Sequence, residues 1–402
     1  MNTRLNETAA AGADRRGFYR PELDGLRFLS FLVVFISHAY LVSPGMFADG
    51  SPAMQELGRW ALAAGHCGYA AVAVFFVLSS YLITELLLRE HERHGRIDVP
   101  AFYARRALRI WPLYFCFFVL TLIVEPRLGI PGVPTGDTPW YLGFLVNWRI
   151  ALTGEIPRSA AQILWTVSIE EQFYLLWPLL IAVLSPKRIG WMCAGLLVGG
   201  QVSRLVMVAQ GAPYYAIHFH TFTQFDAIAW GGLLAVAVRR GWLVDWPLVL
   251  RRGLMIGGGV LAVVTQRLLA EDKPFAGWAL AAYPLFAFAA VLVVGGAMRG
   301  RAQETNWLTH PWLVRLGKIS YGLYVWHLLA ILLVYKFGWC RPQSVWTTLY
   351  ALPLTIGFAE VSYQWIELPF LRWKGRFSRT EAPNPVAEAL PNRVAPATPA
   401  ET

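Results

Sequence analysis

The stretch LDGLRFLSFLVVFISHAYLVS at residues 23–43 decides the fold class, because it is an almost unbroken apolar run. About 20 such residues are needed to cross a hydrocarbon core of about 30 Å. Further runs of this kind lie at 68–88, 108–124, 165–184, 189–209, 225–238, 254–270, 277–298, 317–336 and 346–366. The sequence therefore predicts an all-α, polytopic transmembrane helix bundle of about ten spans, and the lipid bilayer is its first predicted partner.

The composition excludes several other classes of protein. Of the 402 residues, 56% are apolar and only 15% are charged, whereas charged residues make up about a quarter of an ordinary soluble domain. Four cysteines are too few for a disulfide scaffold. The net charge of +10 does not indicate a nucleic-acid partner, because the Lys and Arg residues are distributed between the apolar runs and form no single basic patch.

The loops that connect the predicted spans alternate between many and few basic residues. Short loops rich in Lys and Arg stay on the cytoplasmic side of a membrane, so the alternation predicts that both termini are cytoplasmic. The first twenty residues are polar and lack a signal-peptide cleavage pattern, so the first span is predicted to be an uncleaved anchor. The predicted domains are a polar N-terminus at 1–20, a membrane domain at 21–376 and a disordered cytoplasmic tail at 377–402, which is rich in Pro and Ala.

Polar side chains inside the spans are the first candidates for function, because a charge at mid-bilayer is costly. Arg27 and His38 lie 11 residues apart, about three helical turns, and therefore share one helix face about 16 Å apart along the axis. In the ninth span, His327 shares a face with Tyr324. The structural alternative is that Arg27 extends to the headgroups beside Asp24, while His38 only joins two helices.

Two further charged groups stand out along the chain. Glu170 and Glu171 are adjacent in the fourth span, where bundle packing alone does not require two acids; one of them is expected to be protonated or paired with an arginine. Arg105, Arg106 and Arg109 lie where the third span begins. Guanidinium groups bind phosphate oxygens in two-point geometry, so this turn can hold a phosphorylated ligand. The alternative is contact with anionic lipid headgroups.

Six motifs in a fixed order carry a resemblance to a known family. They are LDGLR at 23–27 with His38 following, VFFVLSSYLI at 74–83, RRALRIWP at 105–112, the segment 165–178, GKISYGLYVWH at 317–327, and IELPF at 366–370. Together they resemble the acyltransferase 3 family of bacterial membrane O-acyltransferases over residues 20–375.

The resemblance implies transfer of an acyl group, usually acetyl, from cytoplasmic acyl-CoA to a sugar hydroxyl of an exported or cell-envelope glycan or a small glycoside. Acetyl-CoA or another acyl-CoA is then the expected donor, a carbohydrate is the expected acceptor, and no metal is expected. The expected location is the bacterial cytoplasmic (inner) membrane. Members of the family often carry a fused extracytoplasmic hydrolase-like domain, and this chain is expected to be a standalone transferase.

The family's functional residues transfer to matching positions of this sequence. Its arginine and histidine of the first span correspond to Arg27 and His38, and its cytoplasmic arginine motif corresponds to Arg106 and Arg109, next to Arg105. The resemblance together with guanidinium chemistry predicts that Arg106 and Arg109 hold the CoA phosphates.

A second family motif, Phe-Phe-x-x-Ser-Gly, is matched only in part. Phe75, Phe76 and Ser79 are present, and they join the predicted donor site, but Ser80 stands where glycine is usual. The departure puts in question any close backbone approach that requires a glycine at this position.

The expected chemistry needs few protein groups, because a thioester is already activated. Neutral imidazole suits deprotonation of an alcohol near pH 7, so His38 is predicted to be the general base, with Glu170 or Glu171 and His327 orienting groups around the acceptor. A covalent acyl-His38 intermediate is the alternative route. A proton-coupled glycan transporter or flippase is the alternative function, because such proteins also carry intramembrane His, Arg and acidic residues.

Overall fold

The computed structural model describes residues 18–39, 50–243, 246–270, 276–300, 306–340, 344–374 and 377. Throughout this part of the chain the regular structure is helical and no strand occurs, as the sequence predicts. Apart from residues 18–20 and 377, the predicted polar N-terminus and the predicted disordered tail lie outside the described residues.

The α-helices are numbered here in chain order. They are α1 Pro21–Ala39, α2 Pro52–Gly65, α3 Gly68–His94, α4 Val99–Arg127, α5 Thr138–Leu142, α6 Val146–Thr153, α7 Trp165–Val183, α8 Pro186–Ala209, α9 Tyr214–Phe219, α10 Phe225–Arg239, α11 Leu248–Thr265, α12 Ala279–Ala297, α13 Pro311–Lys318, α14 Ser320–Lys336, α15 Val345–Ser362 and α16 Leu368–Lys374.

Six helical segments of the described chain are long and apolar enough to cross a membrane, and a seventh is added if the bent pair α13 and α14 counts as one span. The six segments are Pro52–His94, Val99–Arg127, Pro186–Ala209, Thr221–Arg239, Leu248–Leu269 and Ala279–Ala297. The chain is therefore a multi-pass helical membrane protein. Ten spans and cytoplasmic termini stay predictions.

Three of the predicted spans correspond to helices α1, α7 and α15, which are not among the six. Two of them contain the polar groups that the sequence singles out. Arg27 and His38 lie in α1, and the two adjacent glutamates lie in α7. These same residues reduce the apolar character of the two helices.

Helix α4, which carries the three arginines, starts at a well-defined point. Gly95 ends α3 in the left-handed conformation (φ 67°), where its N–H donates to the carbonyl of His91, as is common at helix C-termini. Asp98 then caps α4, because its carboxylate accepts from the backbone N–H of Ala101 at 3.1 Å. The arginines are thus fixed in the early turns of α4.

A close approach of α13 to α1 determines where α14 lies. A Cβ atom at Gly317 would overlap the backbone carbonyl of Asp24, so only glycine fits there. The chain then bends by 73° between α13 and α14. Helix α14 is buried along most of its length, and it packs against α1, α15 and α4. His327 is thereby brought beside α1.

Candidate active site

The two intramembrane histidines of the sequence form a pair. The His38 Nδ1 and His327 Nε2 atoms are 3.0 Å apart, and the rings stack with centroids 5.1 Å apart. His327 is fully buried, and its ring is flanked edge-on by Phe31 and Phe35 of α1. The expectation that a second buried histidine approaches the first is confirmed.

The hydrogen bonds of this pair determine its tautomers. His327 Nδ1 lies 2.5 Å from the backbone carbonyl of Tyr324. A carbonyl can only accept, so His327 Nδ1 carries the proton and its Nε2 is an acceptor. His38 Nδ1 must then donate to that Nε2. The lone pair of His38 is left on Nε2, the nitrogen outside the pair, which is the atom a general base needs.

Arginine side chains line a narrow cavity of about 100 Å³, which we call the arginine cavity. Arg27, Arg106 and Arg109 contribute to its wall together with Phe75, Phe76 and Ser79. All six were predicted site residues. The sequence motifs on α1, α3 and α4 therefore meet at one place.

The three guanidinium groups differ in their partners. Arg27 pairs with Asp24 at 3.1 Å, as the structural alternative expects, and it also lines the cavity. Arg106 lies over the rings of Phe102 and Tyr174, 5.5 and 5.4 Å from their centroids. Within the described ranges, no carboxylate forms an ion pair with Arg106 or Arg109. Both remain available for an anionic ligand.

The two adjacent glutamates face different places. Glu170 lines the arginine cavity and accepts a hydrogen bond from Ser79 at 2.7 Å, and Ser79 in turn accepts one from Tyr174 at 3.1 Å. Glu171 accepts from the indole N–H of Trp111 at 2.9 Å and lines a separate cavity. Neither carboxylate lines the cavity that contains His38, and His327 does not line it either. The orienting role of a glutamate with His327 around the acceptor stays a prediction.

Arg105 also lies apart from the predicted donor site. Its guanidinium pairs with Glu90 at 3.2 Å and donates to the carbonyl of Phe377 at 2.7 Å. Arg105 does not line the arginine cavity. The structure thus places Arg105 in a contact between α3 and α4, outside the arginine cavity.

Ser80, which departs from the family motif, points away from both cavities. Its side chain is fully buried and donates to the backbone carbonyl of Ile228 on α10 at 2.6 Å. A Cβ at Gly231 of α10 would overlap the Val77 carbonyl and the Ser80 Cβ. The glycine that permits close contact of these helices therefore lies on α10, opposite the serine.

His38 lines a wider cavity of about 390 Å³, which we call the histidine cavity. Its wall combines aromatic rings, including Tyr69 and Trp165, with the polar side chains of Gln162 and His218. Tyr324 and Val72 line both this cavity and the arginine cavity. The hydroxyl of Thr166 donates to that of Tyr324 at 2.8 Å. Tyr324 and Val72 thus form a wall that the two cavities share.

A buried carboxylate fixes one side of the histidine cavity. Glu125, at the end of α4, accepts from the Ser159 hydroxyl at 2.6 Å and from the Ala160 N–H at 2.7 Å. These contacts hold the short 3₁₀ segment Ala160–Leu164, which carries Gln162 and leads into Trp165. Sequence reasoning missed Tyr69 and Gln162, although a polar side chain within an apolar run is a usable signal.

His218 gives the histidine cavity a measurable pH dependence. Burial lowers the pKa of His218 from 6.5 to about 4. Below pH 6.5 the unfolded chain therefore binds a proton that the folded chain does not, so stability falls as the pH is lowered from about 6.5 towards 4. We expect His218→Gln, which is neutral throughout, to show a smaller fall in melting temperature between pH 7.5 and 4.5. Equal falls for the two chains would contradict this assignment.

The fold and site define a class: a multi-pass helical membrane protein in which one member of a histidine pair and a cluster of guanidinium groups line two adjoining cavities. The profile of the acyltransferase 3 family, described as an acyltransferase domain, matches residues 20–362. The chain belongs to this family, and the resemblance seen in the sequence is confirmed.

Named relatives are consistent with the family. The O-acetyltransferase OatA of Staphylococcus aureus (strain NCTC 8325 / PS 47) is 27% identical over 397 residues, which cover 90% of this chain and 60% of OatA. A protein of Staphylococcus aureus (strain MRSA252) with O-acetyltransferase in its name is 25% identical over 398 residues, covering 93% of this chain and 62% of its own length. The chain thus spans about three fifths of these relatives. No solved structure matches it significantly.

Proposed function

We propose that this chain is a membrane O-acyltransferase that moves an acyl group, most simply acetyl, from cytoplasmic acyl-CoA to a hydroxyl of a cell-envelope or exported glycan or glycoside. One observation carries the proposal: a histidine with its lone pair on Nε2 and two arginines without a carboxylate partner among the described residues line adjoining cavities that share Tyr324 and Val72. Family membership and the O-acetyltransferase relatives support it.

The arginine cavity is the proposed donor site. Arg106 and Arg109 hold phosphate groups of acyl-CoA, because guanidinium forks match phosphate oxygens. A volume of about 100 Å³ is small beside the 300–1,000 Å³ typical of pockets for whole ligands. The nucleotide therefore stays at the mouth, and only the thioester end passes between Phe75 and Tyr324 towards His38.

The histidine cavity is the proposed acceptor site. Its volume of about 390 Å³ lies in the usual range for a small ligand. The faces of Tyr69 and Trp165 offer apolar area to the C–H faces of a sugar ring, while Gln162 and His218 offer hydrogen bonds to its hydroxyl groups. A carbohydrate hydroxyl placed here can reach His38.

The proposed reaction needs one proton transfer. His38 Nε2 takes the proton of the acceptor hydroxyl while the hydroxyl oxygen attacks the thioester carbonyl. The carbon–sulfur bond then breaks, and CoA leaves as a thiolate. His327 accepts from His38 Nδ1 and stabilises the charged imidazolium that forms. The route through a covalent acyl-His38 uses the same nitrogen, because Nε2 is the only ring atom with a lone pair.

The proposed orientation follows the charge of the loops. The basic residues at the end of α3, in the loop that follows it and at the start of α4, among them Arg93, Arg96 and Arg105, lie at the same end of α4 as the arginine cavity. Basic loops stay on the cytoplasmic side. With ten crossings and both termini in the cytoplasm, the arginine cavity then faces the cytoplasmic side of the bacterial inner membrane, where acyl-CoA is found. The acceptor enters from the opposite side.

A proton-coupled glycan transporter is the second candidate. The buried Arg204–Asp226 ion pair, 2.6 Å apart, lies inside the membrane domain. Like the histidine pair, it is of a kind that proton relays use. Transport moves a glycan without consuming a thioester, so the two functions differ in their products.

The direct test is transfer from labelled acetyl-CoA in membranes that contain the native chain, with membranes that lack it as the control. We expect label in the glycan fraction and an equal amount of free CoA thiol, both dependent on added acceptor. Movement of glycan across the membrane with no thiol release would contradict transfer and favour transport.

A further inference from the structure

A further cavity of about 640 Å³, which we call the lateral groove, shares no residue with the arginine cavity or the histidine cavity. It lies where α8 and α11 begin and where α10 and α12 end. Its floor is apolar and is formed by side chains of all four helices. The groove is therefore large enough for a ligand and is separate from the proposed reaction.

The lateral groove opens towards the hydrocarbon phase. Only 17% of the apolar window of α8, and the same share of α11, is buried inside the protein, so these two helices lie at the periphery of the bundle. Three tryptophans at the groove, Trp191, Trp242 and Trp246, are 72%, 62% and 38% exposed. Tryptophan at this density is typical of the level of lipid headgroups. The occupant of the groove is consequently a membrane lipid.

Two cations determine which lipid fits. Lys187 in the first turn of α8 and Arg240 at the end of α10 both line the groove. Within the described part of the chain, neither forms an ion pair with a carboxylate. By contrast, Arg239, one residue earlier, pairs with Glu85 at 3.0 Å. An anionic headgroup supplies the negatively charged partner that Lys187 and Arg240 lack among the described residues.

We propose that the lateral groove binds one anionic phospholipid, with its phosphate between Lys187 and Arg240 and its acyl chains against the apolar floor. The ammonium and guanidinium groups donate to the phosphate oxygens. A zwitterionic lipid of the same chain length fills the floor equally well but presents a compensating positive charge to the two cations. The groove therefore selects by headgroup charge.

The test compares phosphatidylglycerol with phosphatidylcholine of identical acyl chains, titrated into the full chain in detergent and counted as bound lipids by native mass spectrometry. We expect the native chain to bind the anionic lipid on the order of tenfold more tightly. Lys187→Gln combined with Arg240→Gln should bring this ratio close to one.

A matched control removes the same charge from the same membrane face. Arg188 and Arg252 are exposed and do not line the groove, so Arg188→Gln with Arg252→Gln should keep the native ratio. Equal loss of selectivity in this control would overturn the proposal in favour of general surface charge. Retention of selectivity in the Lys187 and Arg240 variant would overturn it as well.

A steric variant tests the position of the acyl chains. A Cβ at Gly190, which lines the groove, would meet no atom within 4 Å, so Gly190→Leu fills the space without disturbing the helix. We expect weaker binding of both lipids and a melting temperature in lipid-free detergent no lower than that of the native chain, because leucine favours a helix more than glycine does. Unchanged binding of both lipids would show that the chains lie elsewhere and would overturn the proposal.

Discussion

Replacing His38 with alanine is expected to lower the turnover number for acyl transfer by about 10²–10⁴-fold, the usual contribution of a general base. The reason is geometric, because His38 Nε2 carries the lone pair beside the histidine cavity. The measurement is transfer from labelled acetyl-CoA at matched protein level. His94→Ala, an exposed histidine at the end of α3, is the control and should match the native rate. Native activity in His38→Ala would contradict the assignment.

His327 is a positioning residue in this scheme, so its variants should behave differently. His327→Leu removes the acceptor of the His38 Nδ1 proton, and we expect a loss in turnover number that is smaller than that of His38→Ala, with little change in KM. His327→Gln keeps a carbonyl oxygen that can accept the same proton and should recover part of the rate. Equal losses for the Leu and Gln variants would indicate that His327 acts only through packing.

The sequence predicts the helical membrane fold because length and apolar character are properties of single segments. Arg27 and His38 share a face by helical period alone, and this too is readable from the sequence. The contact of His38 with His327 is different. It depends on the 73° bend between α13 and α14 and on the glycine contact at Gly317, and both are properties of several segments together.

The sequence does not distinguish which of two neighbouring residues on a helix faces a cavity. Successive residues on a helix point about 100° apart, so only one of Glu170 and Glu171 can face the arginine cavity, and the same holds for Arg105 and Arg106. A membrane helix is apolar on nearly every face, so its hydrophobic pattern does not show which face meets another helix. The rotation of α4 and α7 had to come from the structure.

The proposed reaction joins substrates from opposite sides of a bilayer, and the two-cavity arrangement suits this reaction. Tyr324 and Val72 line both cavities and form a shared part of their walls. In the proposed reaction, only the thioester end has to pass this wall. In the same scheme, the phosphates of the donor remain on the proposed cytoplasmic side, where Arg106 and Arg109 are available.

The second large effect is expected at those two arginines. A hydrogen bond to a charged group contributes about 1.5–3 kcal/mol, so Arg106→Gln or Arg109→Gln should lower kcat/KM for acetyl-CoA by roughly ten- to a hundredfold. Most of the change should appear in KM, because the phosphates are bound equally before and during transfer. Arg96→Gln, an exposed arginine before α4, removes one charge outside the cavity and should leave both constants unchanged.

A donor that lacks the 3′-phosphate separates phosphate binding from a structural role of the arginines. The native chain should bind acetyl-dephospho-CoA more weakly than acetyl-CoA. If Arg106 or Arg109 contacts the 3′-phosphate, the Gln variant of that arginine should bind both donors equally, because the two changes remove the same contact. Fully additive losses for both Arg106→Gln and Arg109→Gln would place the 3′-phosphate elsewhere. An unchanged KM in both variants would contradict the arginine cavity as the donor site.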